Sequence, residues 1–234
     1  MKKLIIIVVA VLVLGAGGWL AYDNLFSSTA DEEFSLDSST SPSTTVGSGV
    51  PSGDKSDGVA ALSGTWVTDA ASEAGYRIVE DTPTGEKTVT GRTNTVEGAV
   101  TLADGSLTAT AVTVDLASVA SDQPLRDTAF RDTIMKTSEF PNAAFTQTDA
   151  VTLPSGASPT APITVEVPGT LELRGVSKPA TATIDAVSDG TVVTVVGKVE
   201  VKLADFDIDP PAIPGLVTVR DAGTIEFKLV LNKG

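Results

Sequence analysis

In residues 61–234 of this 234-residue chain the densest cluster of charged side chains is Arg126-Asp127 together with Arg131-Asp132. A guanidinium presents a planar fork of donors that suits bidentate contact with a phosphate. Each arginine also has an acid beside it, and mutual pairing is the favoured use of both. Lys178, in Arg174-Gly175-Val176-Ser177-Lys178-Pro179, adds a third cation at what reads as a solvated turn. Asp205, Asp207 and Asp209 alternate and invite a calcium reading. The run lacks the glycine turn and closing glutamate of an EF-hand loop, so with Phe206 and Ile208 between the acids a strand without metal is expected. Tyr76 and Glu80 are of types used in acid–base work, but spacing identifies no partner for either.

The absences decide more. The chain has no histidine and no cysteine. A Ser-His-Asp triad, a thiolate nucleophile, disulfides, Cys-zinc sites and a lipidated cysteine are excluded. The commonest general base and metal ligand is missing too, so no catalytic residue and no metal or other cofactor is expected. The formal net charge of −14 argues against a nucleic-acid partner, because such affinity comes mainly from Lys and Arg neutralising phosphates.

The elements that must position these residues fall into three unlike parts. Lys2 and Lys3 precede an uncharged run from Leu4 to Tyr22. At 1.5 Å per residue that run spans about 28 Å, close to the roughly 30 Å hydrocarbon core of a bilayer. Residues 1–22 are therefore expected to form a transmembrane signal-anchor helix. Lysines before the run and acids after it orient the amino terminus to the cytoplasm. A cleaved signal peptide shares the charged start and apolar run, but no clean Ala-x-Ala site follows. Residues 23–60 are acidic and rich in Ser, Thr, Gly and Pro, and are expected to be a disordered tether.

Residues 61–234 show no long 3.6-residue apolar period; period-2 alternation recurs instead. Val112, Val114 and Leu116 alternate with Thr113 and Asp115, and Ile163, Val165 and Val167 with Thr164 and Glu166. Ala182, Ile184 and Ala186 form a third set, and Ile225, Phe227, Leu229 and Leu231 a fourth. Turn signals separate the runs: Pro83-Thr84-Gly85, Ala103-Asp104-Gly105, Pro154-Ser155-Gly156, Ser188-Asp189-Gly190 and Ala222-Gly223. An antiparallel meander closed as a barrel or packed as a sandwich follows. Residues 121–140 break the pattern and predict one short helix, with Ser121 and Asp122 as caps and Pro124 in its first turn. Aromatics make up only 5 % of the chain, so an eight-stranded interior lined by modest side chains is either just filled by them or holds one apolar ligand.

Four stretches strengthen this reading. They are Leu62–Trp66 with Gly75–Glu80; Val114–Leu116 through Arg126-Asp127 and Phe130-Arg131 to Phe140-Pro141 and Ala144-Phe145; Gly169–Pro179; and Ala204–Pro211 leading into Val217–Val219 and Gly223–Phe227. In order and spacing they resemble the YceI-like family of polyisoprenoid-binding proteins, particularly its actinobacterial members. The resemblance implies an all-β, antiparallel eight-stranded lipocalin-like barrel with one short helical crossover. It also implies a bound isoprenoid lipid, such as a polyprenyl phosphate or a quinone. Ala129 stands where enterobacterial-type members carry a histidine.

The expected apolar lining is Trp66, Ile78, Val112, Val114, Phe130, Ile134, Met135, Leu171, Ile184, Phe206, Ile225, Phe227 and Leu229, with Arg126, Arg131 and Lys178 as candidate head-group contacts. The expected setting is the cell membrane, single-pass, with the carboxy-terminal domain extracytoplasmic and a homodimer allowed. Lipid binding for transport, storage or presentation leads. A ligand-free envelope interaction or adhesion domain comes second, and an enzyme of isoprenoid metabolism is least favoured.

Overall fold

Each strand of alternating sequence has one apolar face, and a closed sheet lets all those faces meet without a free edge. The computed structural model describes residues 30–36, 58–154 and 156–234. The expected membrane span, residues 1–22, lies outside them. Among the described residues no helix is long and apolar enough to cross a membrane.

A single turn of 3-10 helix, Gly58–Leu62, leads into β1 (Gly64–Thr68), β2 (Glu73–Thr82), β3 (Gly85–Thr93), β4 (Val96–Ala103) and β5 (Ser106–Asp115). After the crossover come β6 (Asn142–Gln147), the two-residue β7 (Val151–Thr152), β8 (Ile163–Leu173), β9 (Val176–Ser188) and β10 (Val192–Lys202). The short β11 (Ala212–Ile213) and the 17-residue β12 (Val217–Lys233) complete the chain. Every named pairing is antiparallel.

One edge of β12 pairs with β10 from Val192↔Asn232 to Lys202↔Ala222. Its other edge pairs with β2 over its first part and with β1 at its end, where Thr68 faces Leu231. Because β1 also pairs with β4, the ring β1-β4-β5-β6-β8-β9-β10-β12 returns to β1 as a closed barrel of eight strands. The β2–β3 hairpin extends its wall. The expected all-β barrel with one short helix is present.

Turn chemistry explains the tight corners. Asp104 and Gly105 (φ 51° and 72°) close β4–β5, and Arg174 and Gly175 (φ 52° and 75°) close β8–β9, the doubly positive pattern of a primed hairpin turn. The crossover helix α1 (Pro124–Ala129) starts with proline at its first position and runs into a π turn, Phe130–Ile134. Its cap is Gln123, with no side-chain bond. The two residues expected as caps lie just outside: Ser121 Oγ donates to Asp127 Oδ1 at 2.6 Å, and Asp122 pairs with Arg126.

Two expectations need correction. Ala222-Gly223 is not a turn but lies within β12, where the register against β2 shifts between Val219 and Gly223. Both edges of β12 are paired there, so extra residues are absorbed as a bulge. Asp205–Asp209 is not a strand: Leu203–Phe206 is a 3-10 turn and Asp207 is left-handed at φ 55°. Phe206 and Ile208 are both buried, and that two-residue spacing is what imitates alternation. The acids form no metal cluster among the described residues. Within residues 23–60, expected as a disordered tether, the described residues 31 and 32 contact Thr90, Arg77 and Arg92 of the barrel.

Trp66 anchors the upper core. It is 1 % exposed, and its indole N–H donates to the Leu62 carbonyl at 2.8 Å. Trp66→Ala is expected to cost about 3–5 kcal/mol by leaving a cavity. Trp66→Phe is expected to cost about 1–3 kcal/mol by stranding that carbonyl. Denaturant unfolding followed by circular dichroism measures both.

Candidate functional site

Inward positions of the barrel are mostly Val, Ile, Leu and Ala, and they leave two spaces. An upper cavity of about 140 Å³ is bounded by Trp66, Val112, Leu171, Ile184, Phe227 and Leu229, among others, and capped by Val59 and Leu62 of the first helical turn. A lower cavity of about 150 Å³ lies against Tyr76, Ile78, Phe130, Ile134 and Met135. Ala74, Val114, Ala143 and Ile225 border both. These four residues form the wall that the two cavities share.

Aromatic rings leave this space open because glycines receive them. Tyr76 faces Gly91 across β2–β3, and Phe227 faces Gly197 across β12–β10. Phe145 lies diagonally against Gly169. A Cβ built on Gly91, Gly197 or Gly169 would meet those rings at 2.4–2.6 Å. Each ring therefore lies against a bare stretch of wall instead of projecting across the axis.

The upper cavity is almost wholly apolar. The lower one is apolar too, but Tyr76, Glu80 and Arg126 meet at its border. Tyr76 stacks on Phe130 with ring centroids 5.3 Å apart and an interplanar angle of 15°. Arg126 lies 3.7 Å from Glu80 and 2.5 Å from Asp122, and Asp127 accepts the Ser121 N–H and hydroxyl nearby. Burial pushes the Tyr76 phenol well above its ordinary value despite Arg126, so it is a hydroxyl donor at neutral pH. Burial also raises the Glu80 carboxyl; Arg126 opposes that shift and Asp122 adds to it.

The structure brings most of the expected lining together. Trp66, Val112, Leu171, Ile184, Phe227 and Leu229 border the upper cavity, Ile78, Phe130, Ile134 and Met135 the lower, and Val114 and Ile225 both. Phe206 is not lining; it is buried in the core beside its 3-10 turn. Arg126 is at the lower cavity, whereas Arg131 and Lys178 border neither. Lys178 is exposed next to the β8–β9 turn, and Arg131 is on the π turn beyond α1. Tyr76 and Glu80 had no identifiable partner in sequence because Arg126 reaches them across some 50 residues. Their shared parity with Ala74 and Ile78 on β2 was the available signal.

Residues 66–231 match the model of the YceI-like domain family. No curated protein sequence matches. A polyisoprenoid binding domain from Saccharophagus degradans, implicated in plant cell wall breakdown, superposes with a TM-score of 0.57 at 19 % identity, over 73 % of this chain and 98 % of that one. BcnA of Burkholderia cenocepacia also superposes at 0.57, with 18 % identity over 70 % and 98 % of the two chains. At these identities the likeness is one of fold.

The raised Tyr76 phenol is directly measurable. The chain has two tyrosines, Tyr22 and Tyr76. In an ultraviolet titration to about pH 11, above the usual tyrosine pKa near 10, the native Tyr76→Phe variant is expected to show the same phenolate signal as the parent. A smaller signal in the variant would mean that Tyr76 ionises normally.

Proposed function

The chain belongs to the YceI-like domain family, and from that premise we propose that its barrel binds an isoprenoid lipid along the barrel axis, outside the cytoplasm. The hydrocarbon would run from one cavity to the other past the shared wall at Ala74, Val114, Ala143 and Ile225, with its head at Tyr76 and Arg126. The observation that carries this reading is the pair of adjoining apolar cavities, the lower one bordered by a small polar cluster. A slender methyl-branched chain suits such a space. Its burial contributes roughly 25 cal/mol per Å² before the costs of association and ordering. The role is to shield the lipid for transport, storage or presentation, with no covalent chemistry.

Charge favours an uncharged head. Arg126 is surrounded by Glu80, Asp122 and Asp127. A phosphate there would meet one guanidinium and several carboxylates. A quinone or alcohol oxygen needs only a donor, and Tyr76 and Arg126 both supply one. Of the two lipid classes expected from sequence, the quinone type is the better fit.

Organic extraction of native protein followed by mass spectrometry is expected to recover an isoprenoid. Ala143→Phe, which adds bulk at the shared wall, should reduce recovery at least tenfold. Ala186→Leu, a milder filling of the upper cavity, should reduce it partially while the protein remains folded by circular dichroism. Repeated extraction without isoprenoid, or full loading of folded Ala143→Phe protein, would overturn the reading.

The head-group preference carries a pH dependence. The Glu80 carboxyl has a raised pKa in the folded protein, so it takes up a proton before an exposed carboxyl does as pH falls. That uptake lowers the negative charge around Arg126. Binding of a phosphorylated isoprenoid is expected to tighten as pH falls through that range, and Glu80→Gln should remove this dependence. An uncharged analogue should bind equally across it. Fluorescence competition measures both, and tighter phosphate binding at neutral than at acidic pH would reject the charge argument.

A further inference from the structure

The outer wall of the barrel carries a buried charge cluster. Outward positions on strands normally hold solvated polar groups, yet Glu226 on β12 is only 5 % exposed and Thr90 on β3 only 4 %. Arg77 and Arg92 clamp the Glu226 carboxylate, Arg77 Nε at 3.1 Å from Oε2 and Arg92 Nη2 at 3.0 Å from Oε1. Two guanidiniums around one carboxylate leave a local excess of positive charge on a chain of net charge −14.

Residues Ala30–Leu36, with the sequence Ala-Asp-Glu-Glu-Phe-Ser-Leu, lie over this patch. The Asp31 N–H donates to Thr90 Oγ1 at 3.0 Å, and the Thr90 hydroxyl contacts Asp31 Oδ2 at 3.1 Å. Arg77 Nη2 donates to the Asp31 carbonyl at 2.7 Å, and Arg92 Nη2 donates to the Glu32 carbonyl. The Arg92 guanidinium sits 3.9 Å from the centre of the Phe34 ring. Its Nε is buried without a hydrogen bond and faces Asp31 Oδ2 at 3.7 Å. Glu33 lies 4.0 Å from Arg77.

The geometry points to a peptide-recognition site, Arg77, Thr90, Arg92 and Glu226, that takes a short acidic segment followed by an aromatic residue and is filled in cis by Asp31–Phe34. Its chemistry is that of acidic-motif recognition by an arginine pair, with backbone carbonyls fixing register and Phe34 adding a cation–π contact. Charge complementarity selects the occupant: the carboxylates of Asp31 and Glu33 meet Arg92 and Arg77, two arginines paired on one outer patch.

The clasp also shortens the tether. If residues 1–22 span a membrane, the chain between Asp23 and the clasp is seven residues, at most about 25 Å when extended. The wall formed by β2, β3 and β12 is then held toward the membrane. The clasp itself does not depend on the lipid-binding reading.

Hydrogen exchange of the full chain in mild detergent tests the site with no substitution. The Asp31 amide, which donates to Thr90 Oγ1, should exchange at least tenfold more slowly than its intrinsic rate. Phe34→Ala combined with Asp31→Asn should abolish the protection while strand protection persists. Intrinsic-rate exchange of the Asp31 amide in the unaltered chain would overturn the proposal. Because the chain has no cysteine, Asp31→Cys with Thr90→Cys gives a clean second readout. Oxidation should yield a cross-linked monomer, and covalent dimers in its place would overturn occupancy in cis. Neither readout requires bound lipid, so a failed clasp and a failed lipid assignment are distinguishable.

Discussion

Everything in this molecule depends on β12 having partners along both edges. Its long pairing with β10 and its shared pairing with β2 and β1 convert an open meander into a ring. Leu231, opposite both Thr68 and Val193, is 1 % exposed at the seam. Closure removes the edges of the eight ring strands, which would otherwise template aggregation, and leaves β3, paired with β2, as the outer strand. It also forces one face of all eight strands into a shared interior, whose width follows from strand number and not from the bulk of its side chains. Whether that interior is solid or hollow is then a matter of which residues point inward.

Here they leave it hollow in a specific way. Valine, leucine, isoleucine and alanine dominate the inner face, and the larger rings of Tyr76, Phe145 and Phe227 lie against glycines of neighbouring strands. A residue with a Cβ at any of those glycines would drive a ring toward the axis. The polar cluster at one end is sparse because buried charge is costly unless paired, and Arg126 is paired twice. An apolar lumen with one weakly polar end discriminates by shape along its length and by hydrogen bonding at its tip.

Most of the barrel was legible from alternation, since period 2 places Val112, Val114, Ile184, Ile225 and Phe227 on one face whatever the topology. The hairpins at Asp104-Gly105 and Asp189-Gly190 were legible from turn chemistry. Ala222-Gly223 misled because the same residues serve a turn and a bulge, and only the pairing state of both edges separates them. Phe206 and Ile208 misled because a 3-10 turn with a left-handed residue can bury two positions spaced like a strand. The grouping of Arg126 with Tyr76 and Glu80 was illegible for another reason. It is a contact between the crossover and β2, and no local spacing encodes it. The docking of residues 30–36 was hidden in the same way, since a Ser- and acid-rich stretch has too little apolar surface to fold alone and needs the arginines of β2 and β3 to hold it.

The lumen and the strap's seat are opposite faces of the same strands. In β2, Tyr76 points to the lumen and Arg77 to the clasp; in β12, Ile225 points in and Glu226 out; in β3, Gly91 receives the Tyr76 ring while Thr90 and Arg92 grip the strap. Period-2 geometry makes such neighbours inseparable, because a shift of one strand that widens the lower cavity also moves the guanidiniums on its outer side. Glu226 is the residue most exposed to this constraint. Its carboxylate is buried on the outside of a barrel, where water would otherwise solvate it, and only Arg77 and Arg92 compensate for the lost solvent. With the strap removed, water returns to that carboxylate and each guanidinium loses a backbone carbonyl acceptor, so the strap supplies the acceptors and the cover that keep this charge cluster dry.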